Sequence, residues 1–470
     1  MEITTTLPQV SNEAWTAFRL RIKGQVVLPG DPDYEAAREA KNTIYNRKPA
    51  VVVRAEDAAD VSRTITFARR FGLPFTVKGG GHSIGGHSVN NGGLVIDMRR
   101  MNNIRVDAEN RTAWAQSGAI AREFLAAVEP YGLAVPFGDA GSVGLGGITL
   151  GGGIGYLVRK HGLTIDNLLG IEMVTADGQI VQATETENPD LFWALRGGGG
   201  NFGVVTGFQY KLVSVPQIYG GALVLPATKD VIREYARLSL EAPEELTSIS
   251  MVTKAPPMPF IPEDKVGVPS LIVFVAYIGD IEKGPGAVAP LRALAEPIAD
   301  VLGPMPLSGL YAYLEPAEQP ARVRVRSGFY NEINDEILDA TLAFIESGPP
   351  SMNFLQVRPI GNGAMNRVSP EATAFSHRDA QFLLAIIDHW EDAEEDGANE
   401  AWVDAFWQSI AGYRQGVYSN FLQAEGEARI REAYAAAAFD RLANLKLRYD
   451  PANVFSGNEN IPPKPLSAAA

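Results

Sequence analysis

Cysteine is absent from the 470-residue chain. That absence removes disulfide frameworks, zinc ribbons, iron–sulfur clusters, thiol nucleophiles and any cysteinyl link to a cofactor. Histidine is scarce, with five in all, and His377 and His389 lack partners at metal-ligand spacing, so no metal site is expected. Positive charge is in deficit: 41 Lys and Arg face 55 Asp and Glu, for a net charge of −14 and a pI near 5.0. This excludes a general nucleic-acid or anionic-membrane binder, which needs clustered basic residues, but leaves room for a local basic pocket. No apolar run is long enough to cross a bilayer, and no basic N-terminal stretch leads into an apolar one. Neither a membrane span nor a signal peptide is expected, and the expected location is cytoplasmic. What remains is an ordinary globular composition, 46% hydrophobic and 20% charged. Its length calls for two domains or one with a large insertion.

Glycine is what the chain has in excess, 47 of 470 residues against a usual ~7%. The windows 79–93, 138–155 and 197–207 hold 7, 9 and 6 of them. Around these windows the pattern reads as α+β. A helical lead-in covers Glu13–Lys23 and Asp33–Ala40. A strand at Ala50–Arg54, a helix at Ala55–Phe71 and a strand at Pro74–Lys78 make a βαβ unit. Short strands follow at Gly93–Asp97, Asn103–Asp107 and Arg111–Gln116, then a helix at Ala119–Tyr131. The pair Gly170–Ala176 and Gln179–Ala183 flanks the hairpin signal Asp177-Gly178. Helix Asn188–Leu195 enters the third glycine window and strand Val204–Leu212 leaves it.

Beyond Pro216, strands (Ser248–Lys254, Ser270–Ile278, Asn353–Pro359, Gln381–His389) alternate with helices (Lys229–Ser239, Ala287–Val301, Glu332–Glu346, Asn399–Ile410). The Pro-rich stretch 255–269 reads as a loop over a site or interface. A long helix, Gly426–Tyr449, closes the chain.

The run Gly198-Gly199-Gly200-Asn201-Phe202-Gly203 satisfies GxGxxG, yet a helix precedes it and a strand follows, the reverse of a nicotinamide dinucleotide fingerprint. The window 138–155 interleaves Val143, Leu145, Ile148, Leu150 and Ile154 with its glycines. A flexible linker would be polar instead, so this window reads as a packed loop whose amides approach a flat or anionic ligand. Lys78-Gly79-Gly80-Gly81-His82-Ser83 places an imidazole in a glycine loop at a strand end. His161, in Arg159-Lys160-His161-Gly162, reads as a helix C-terminus.

Three sets of residues carry a resemblance: the loop 78–83 with Gly92-Gly93-Leu94-Val95-Ile96-Asp97; Val143-Gly144-Leu145-Gly146-Gly147 through Gly151-Gly152-Gly153-Ile154-Gly155; and Asn201-Phe202-Gly203-Val204-Val205-Thr206. Together they resemble the vanillyl-alcohol-oxidase (PCMH-type) FAD-binding domain. Tyr449-Asp450-Pro451-Ala452-Asn453-Val454-Phe455, Asn458, Asn460-Ile461-Pro462-Pro463 and Tyr418-Ser419-Asn420 are similar to the berberine-bridge-enzyme-like branch. The resemblance implies an FAD-binding domain of two α+β subdomains over 1–216 (core about 45–216). It also implies a substrate domain with an antiparallel sheet over 217–410, and a segment 411–470 returning to the flavin.

It further implies that His82 is bonded to the flavin C8 methyl carbon. FAD contacts are expected at Lys78, Gly79, Gly80, Gly81, Ser83, Ile84 and Gly85; at Gly138, Ala140, Ser142, Val143, Gly144, Gly146, Gly147, Gly152, Gly153 and Gly155; and at Gly203, Val204, Val205, Tyr418, Asn420 and Asn458. Ala140 stands where many relatives carry a second, cysteinyl tether, so a single link is implied. Val143 matches a position where Val is associated with oxygen access and the bulkier Ile hinders it. The expected partners are therefore a small-molecule substrate (amine, alcohol, phenol or sugar) and dioxygen, with hydrogen peroxide as product.

The family's catalytic bases are missing: the alkaloid-cyclising glutamate position is Arg367 and the carbohydrate-type tyrosine position is Phe421. Ile148 stands where plant members place a flavin-edge histidine. Tyr418 is the candidate catalytic hydrogen-bonding group and Arg367 a candidate substrate contact. Tyr311, Tyr313, Phe329, Tyr330 and Trp390 are candidate pocket aromatics or core. A dehydrogenase with a non-oxygen acceptor and a catalytically silent flavin-binding protein are the alternative readings.

Overall fold

The computed structural model describes residues 10–464, so the outer ends of the first and last expected segments lie outside the described residues. The βαβ unit forms from Val51–Arg54, the helix Ala58–Phe71 and Phe75–Lys78. Its two strands do not touch, because Leu94–Asp97 lies between them, parallel to both. Gln25–Val27, inside the helical lead-in region, adds antiparallel to Val51–Arg54. The Asp57 carboxylate caps the helix by accepting the Asp60 amide, and left-handed Gly72 ends it. Buried Asp60 accepts N–H groups from Lys23, Gly24 and Glu56, which offsets its desolvation.

A second sheet is antiparallel, in the order Ile104–Asp107, Thr112–Gln116, Val204–Lys211, Leu168–Val174, Ile180–Thr184. The third sheet has eight strands. Its long members, in order, are Ile218–Pro226, Pro269–Tyr277, Leu246–Lys254, Met352–Pro359, Phe382–Trp390 and Arg322–Tyr330. Helices Lys229–Glu241, Asp335–Ser347 and Asp396–Ile410 bury apolar residues against one face of it. The other face turns toward the glycine windows.

Several expectations need correction. Strand Ile218–Pro226 shows no alternation because nearly every residue in it is buried. Arg322–Tyr330 hides behind charge: Arg322 pairs with Asp396, and Arg324 and Arg326 with Asp404. The helix expected over Ala287–Val301 stops at Arg292, and after Pro297 the chain becomes strand Ala299–Asp300. The closing helix is two helices, Glu427–Glu432 and Ala436–Tyr449. Between them Tyr434 turns inward and donates its hydroxyl to the Gly197 carbonyl at 3.3 Å. A short helix, Leu145–Leu150, forms inside the second glycine window.

Candidate functional site

All three glycine windows meet the sheet's open face and the C-terminal segment around one cavity of about 480 Å³. Strand Phe75–Lys78 delivers the first loop, and Gly81, at φ +77°, turns it back. The first and second windows touch backbone to backbone: a Cβ on Gly80 would lie 2.4 Å from the Gly144 nitrogen, and one on Gly144 2.2 Å from the Gly80 nitrogen. A side chain at Gly147 would meet nothing within 4 Å, and those at Gly79 and Gly200 only ordinary contacts with the Ser117 carbonyl and Asn458, since these glycines face the cavity. The third window is tied to the chain end. Asn458 donates to the Gly200 carbonyl at 2.9 Å, and the Lys446 ammonium donates to the carbonyls of Asn201 (2.7 Å) and Phe455 (2.8 Å).

His82 lines the cavity, and its Nε2 lies 2.7 Å from Ser142 Oγ. Burial, assisted by the Lys41 charge, lowers its pKa to about 4, so the ring is neutral near pH 7. Tyr418 Oη takes hydrogen bonds from the Gly153 amide (3.0 Å) and from Asn420 Nδ2 (2.9 Å), and burial raises its pKa. Val143, Ala140 and Ile148 also line the cavity.

The opposite wall comes from alternate residues of the large sheet. Register aligns Val325, Ile387 and Phe354 across three strands, and Met251 with Gln356. These, with Val323 and Phe421, make an apolar wall, while Arg358, Gln356 and His389 are its polar members. The Arg358 guanidinium is already compensated. It donates to Asp139 Oδ2 (2.8 Å), Gln356 Oε1 (2.8 Å) and the Ile154 carbonyl (3.1 Å), and sits 5.3 Å from the Phe421 ring centre. His389 stacks on Phe354, and burial lowers its pKa to about 4.

Of the expected FAD contacts, Gly79, Gly80, Gly81, His82, Ser83, Ile84, Ala140, Val143, Gly144, Gly146, Gly147, Gly203, Val204, Val205, Tyr418, Asn420 and Asn458 line this cavity. Lys78, Gly85, Gly138, Ser142, Gly152, Gly153 and Gly155 do not, and each supports the wall from behind. Lys78 turns its ammonium to the carbonyls of Ala37 and Glu39. Gly85 abuts His87, Gly138 abuts Ile148, Gly152 abuts Phe375, Gly153 abuts Thr164 and Gly155 abuts the Phe137 carbonyl.

Arg367 is corrected outright as a substrate contact. Its side chain is 62% exposed and pairs with Glu244 outside the cavity. None of Tyr311, Tyr313, Phe329, Tyr330 and Trp390 lines the cavity either. Phe329 and Tyr330 are fully buried core, and Trp390 donates to Asp396. The loop 255–269 stays clear of the cavity, with Phe260 edge-on to Tyr313. Sequence reasoning missed Arg358, Gln356, Phe354, Ile387, Met251, Asp139, Glu318 and His389. The strands carrying the sheet residues were legible, but which face would meet the loops was not.

Gly79, Gly147 and Gly200 leave a smooth cradle of backbone beside a neutral imidazole, and this fits a large planar dinucleotide cofactor better than a small polar metabolite. The fold and the cavity thus define a flavin-dependent oxidoreductase, and comparison with known proteins agrees. The model of an FAD binding domain matches residues 49–184, and that of berberine and berberine-like proteins matches 417–462. An FAD-linked oxidoreductase of Bacillus subtilis is 30% identical over 456 residues, covering 95% of this chain and 98% of that one. The (R)-6-hydroxynicotine oxidase of Paenarthrobacter nicotinovorans is 29% identical over 463 residues, with 95% and 98% coverage. The crystal structure of 6-hydroxy-D-nicotine oxidase from Arthrobacter nicotinovorans superposes with a TM-score of 0.85 at 26% identity, over 95% of this chain and 99% of that one. The chain belongs to the FAD-linked oxidoreductases of the berberine-bridge-like family.

Proposed function

We propose that the protein is an FAD-dependent oxidase, with flavin attached through His82 alone, acting on a small, largely apolar molecule that carries a hydroxyl or amine beside the C–H to be oxidised. The observation that carries this reading is the convergence of three glycine windows, His82 and the C-terminal segment on one cavity. FAD, when bound, supplies a two-electron hydride acceptor at N5. The residues do the rest. The backbone amides of windows 79–81 and 144–147 hold the cofactor's anionic and planar parts. Val323, Val325, Phe354, Ile387 and Phe421 exclude water beside the reacting carbon. Val143, smaller than isoleucine, leaves room for dioxygen.

Substrate polarity follows from that wall. An oligosaccharide needs many unpaired polar partners, whereas here Arg358 and Asp139 satisfy one another. His389 and the Tyr418 hydroxyl are the groups available to meet a substrate hydroxyl or amine. The relative named (R)-6-hydroxynicotine oxidase favours an alkyl amine bearing an aromatic ring over a sugar. Among the described residues, the carboxylates lining the cavity, Asp139, Glu318 and Glu459, are engaged by Arg358, Arg122 and His87, which suits a neutral amine losing hydride directly.

The test is an anaerobic screen of amines, phenols, alcohols and sugars. Loss of flavin absorbance with alkyl amines bearing an aromatic ring or with phenols, and its return with peroxide on admitting air, is the expected outcome. Sluggish reoxidation in air would assign a dehydrogenase instead. Acid precipitation should leave flavin on the wild type and release it from His82→Ala.

A further inference from the structure

A hydroxyl behind the cavity wall contacts His82. Ser142 Oγ sits 2.7 Å from His82 Nε2, whereas His82 Nδ1 makes no hydrogen bond among the described residues. Ser142 is itself held by a residue distant in sequence. Glu318, whose side chain is only 5% exposed, accepts the Ser142 amide at 3.0 Å, the Gly141 amide at 2.7 Å and Arg122 Nη2 at 2.8 Å. Arg122 also reaches Glu315 at 2.8 Å, and the Lys41 ammonium donates to the Glu318 carbonyl at 2.8 Å. A buried carboxylate accepting three donors is a rigid anchor, so the Ser142 backbone that carries the hydroxyl is fixed beside the imidazole.

We propose that Ser142 is the positioning residue for flavin attachment: its Oγ accepts the Nε2 proton of His82, which leaves the Nδ1 lone pair directed into the cavity as the nucleophile. The proposal rests on the His82 link proposed above and goes beyond it by naming the group that selects the tautomer. A neutral imidazole has one donor and one acceptor nitrogen, and the partner of the first decides which nitrogen is the second.

In the step, the Nδ1 pair forms the bond to the flavin C8 methyl carbon. That carbon gives up one hydrogen as a proton, and its electron pair goes to the flavin ring system. The imidazole, now alkylated, loses its Nε2 proton by way of Ser142. Dioxygen takes up the two electrons and two protons as hydrogen peroxide, which returns the flavin to the oxidised state. Positive charge develops on the imidazole as the bond forms. The Glu318 carboxylate opposes the cost of that charge and the Lys41 ammonium adds to it, the two charged groups felt by the ring besides its burial.

The experiment compares full-length wild type, Ser142→Ala, Ser142→Thr and Glu318→Gln, each produced flavin-poor and incubated with FAD in air. Total bound flavin and the fraction surviving acid precipitation are followed with time. Ser142→Ala is expected to bind FAD like wild type but to attach it at least tenfold more slowly. Ser142→Thr restores the rate because it returns the hydroxyl. Glu318→Gln is expected to be slowed in between, since its amide turns a donor toward Arg122 and one backbone N–H. Attachment at the wild-type rate in Ser142→Ala overturns the proposal. So does a Ser142→Ala protein that binds no FAD at all, because the serine would then serve the fold rather than the histidine. Wild type that releases all its flavin on acid treatment defeats the His82 link itself, a result separate from either.

Discussion

Burial governs the histidines at the scale of single residues. It holds His161 and His389 down at about 4, His161 with help from the Lys160 charge. The unfolded chain binds these protons near pH 6.5, the folded chain only near 4, so acidification through that window favours unfolding. Asp388 acts in the opposite sense. Burial raises it to about 6, so between 6 and its unfolded value near 4 the folded state holds a proton that the unfolded state has released. His82 is held at about 4 as well, so three histidines against one carboxylate leave about two protons of net difference, roughly 2.7 kcal/mol per pH unit where fully expressed. The urea midpoint is expected to fall from pH 6.5 to 4.5, and Asp388→Asn to steepen that fall. A flat profile would show that these groups stay solvated.

His82 was legible in the sequence because glycines on both sides advertise a close approach. His389 was not, since a histidine in a strand looks the same whether its face meets a helix layer or a cavity. Arg367 misled because a matched position carries no information about which way a four-residue helix, Ala364–Arg367, presents its end.

Strands, loops and helices differ in how much of their role the sequence exposes. The glycine windows could be read as backbone contacts because only glycine tolerates the distances at Gly80 and Gly144. Gly80→Ala and Gly144→Ala should each force the two loops apart, at a cost of about 1–3 kcal/mol for overpacking, and reduce flavin bound per protein as measured by absorbance. A control at Gly286, where a Cβ meets nothing within 4 Å, should leave flavin content unchanged. Strand Arg322–Tyr330 was invisible to hydrophobic patterning because its arginines are satisfied by Asp396 and Asp404 on the helix Asp396–Ile410. Only tertiary pairing makes such a strand, and composition cannot announce it. The expected closing helix is likewise interrupted at Tyr434, whose buried side chain reaches the distant Gly197 carbonyl.

The whole molecule is held across long sequence separations by buried ions. Arg159 donates to the carbonyls of Leu246, Ala242, Pro243, Leu240 and Gly361, joining the second glycine region to the large sheet. Lys446 and Asp450 are both fully buried, 2.9 Å apart, with the carboxylate also accepting the Val454 and Phe455 amides. Lys446→Met is expected to strand Asp450 and cost about 3–5 kcal/mol in a urea melt. A double variant, Lys446→Met with Asp450→Asn, should recover part of that loss. Loss of bound flavin in the single variant, parallel to the loss of stability, would tie the chain end to the cofactor.

That tie bears on how the protein is made. Asn458 and Glu459, like the stretch from Tyr418 to Leu422, wall the cavity, and a ribosome delivers them well after the glycine windows. While the chain is still growing, the glycine loops have their floor and no closing side, so any flavin resting there is free to leave. Secure retention of the cofactor is expected only once the segment from Tyr418 to Glu459 has been translated and Lys446 has found the carbonyls of Asn201 and Phe455. Chains truncated before Tyr418 are therefore expected to purify with little bound flavin, read from absorbance.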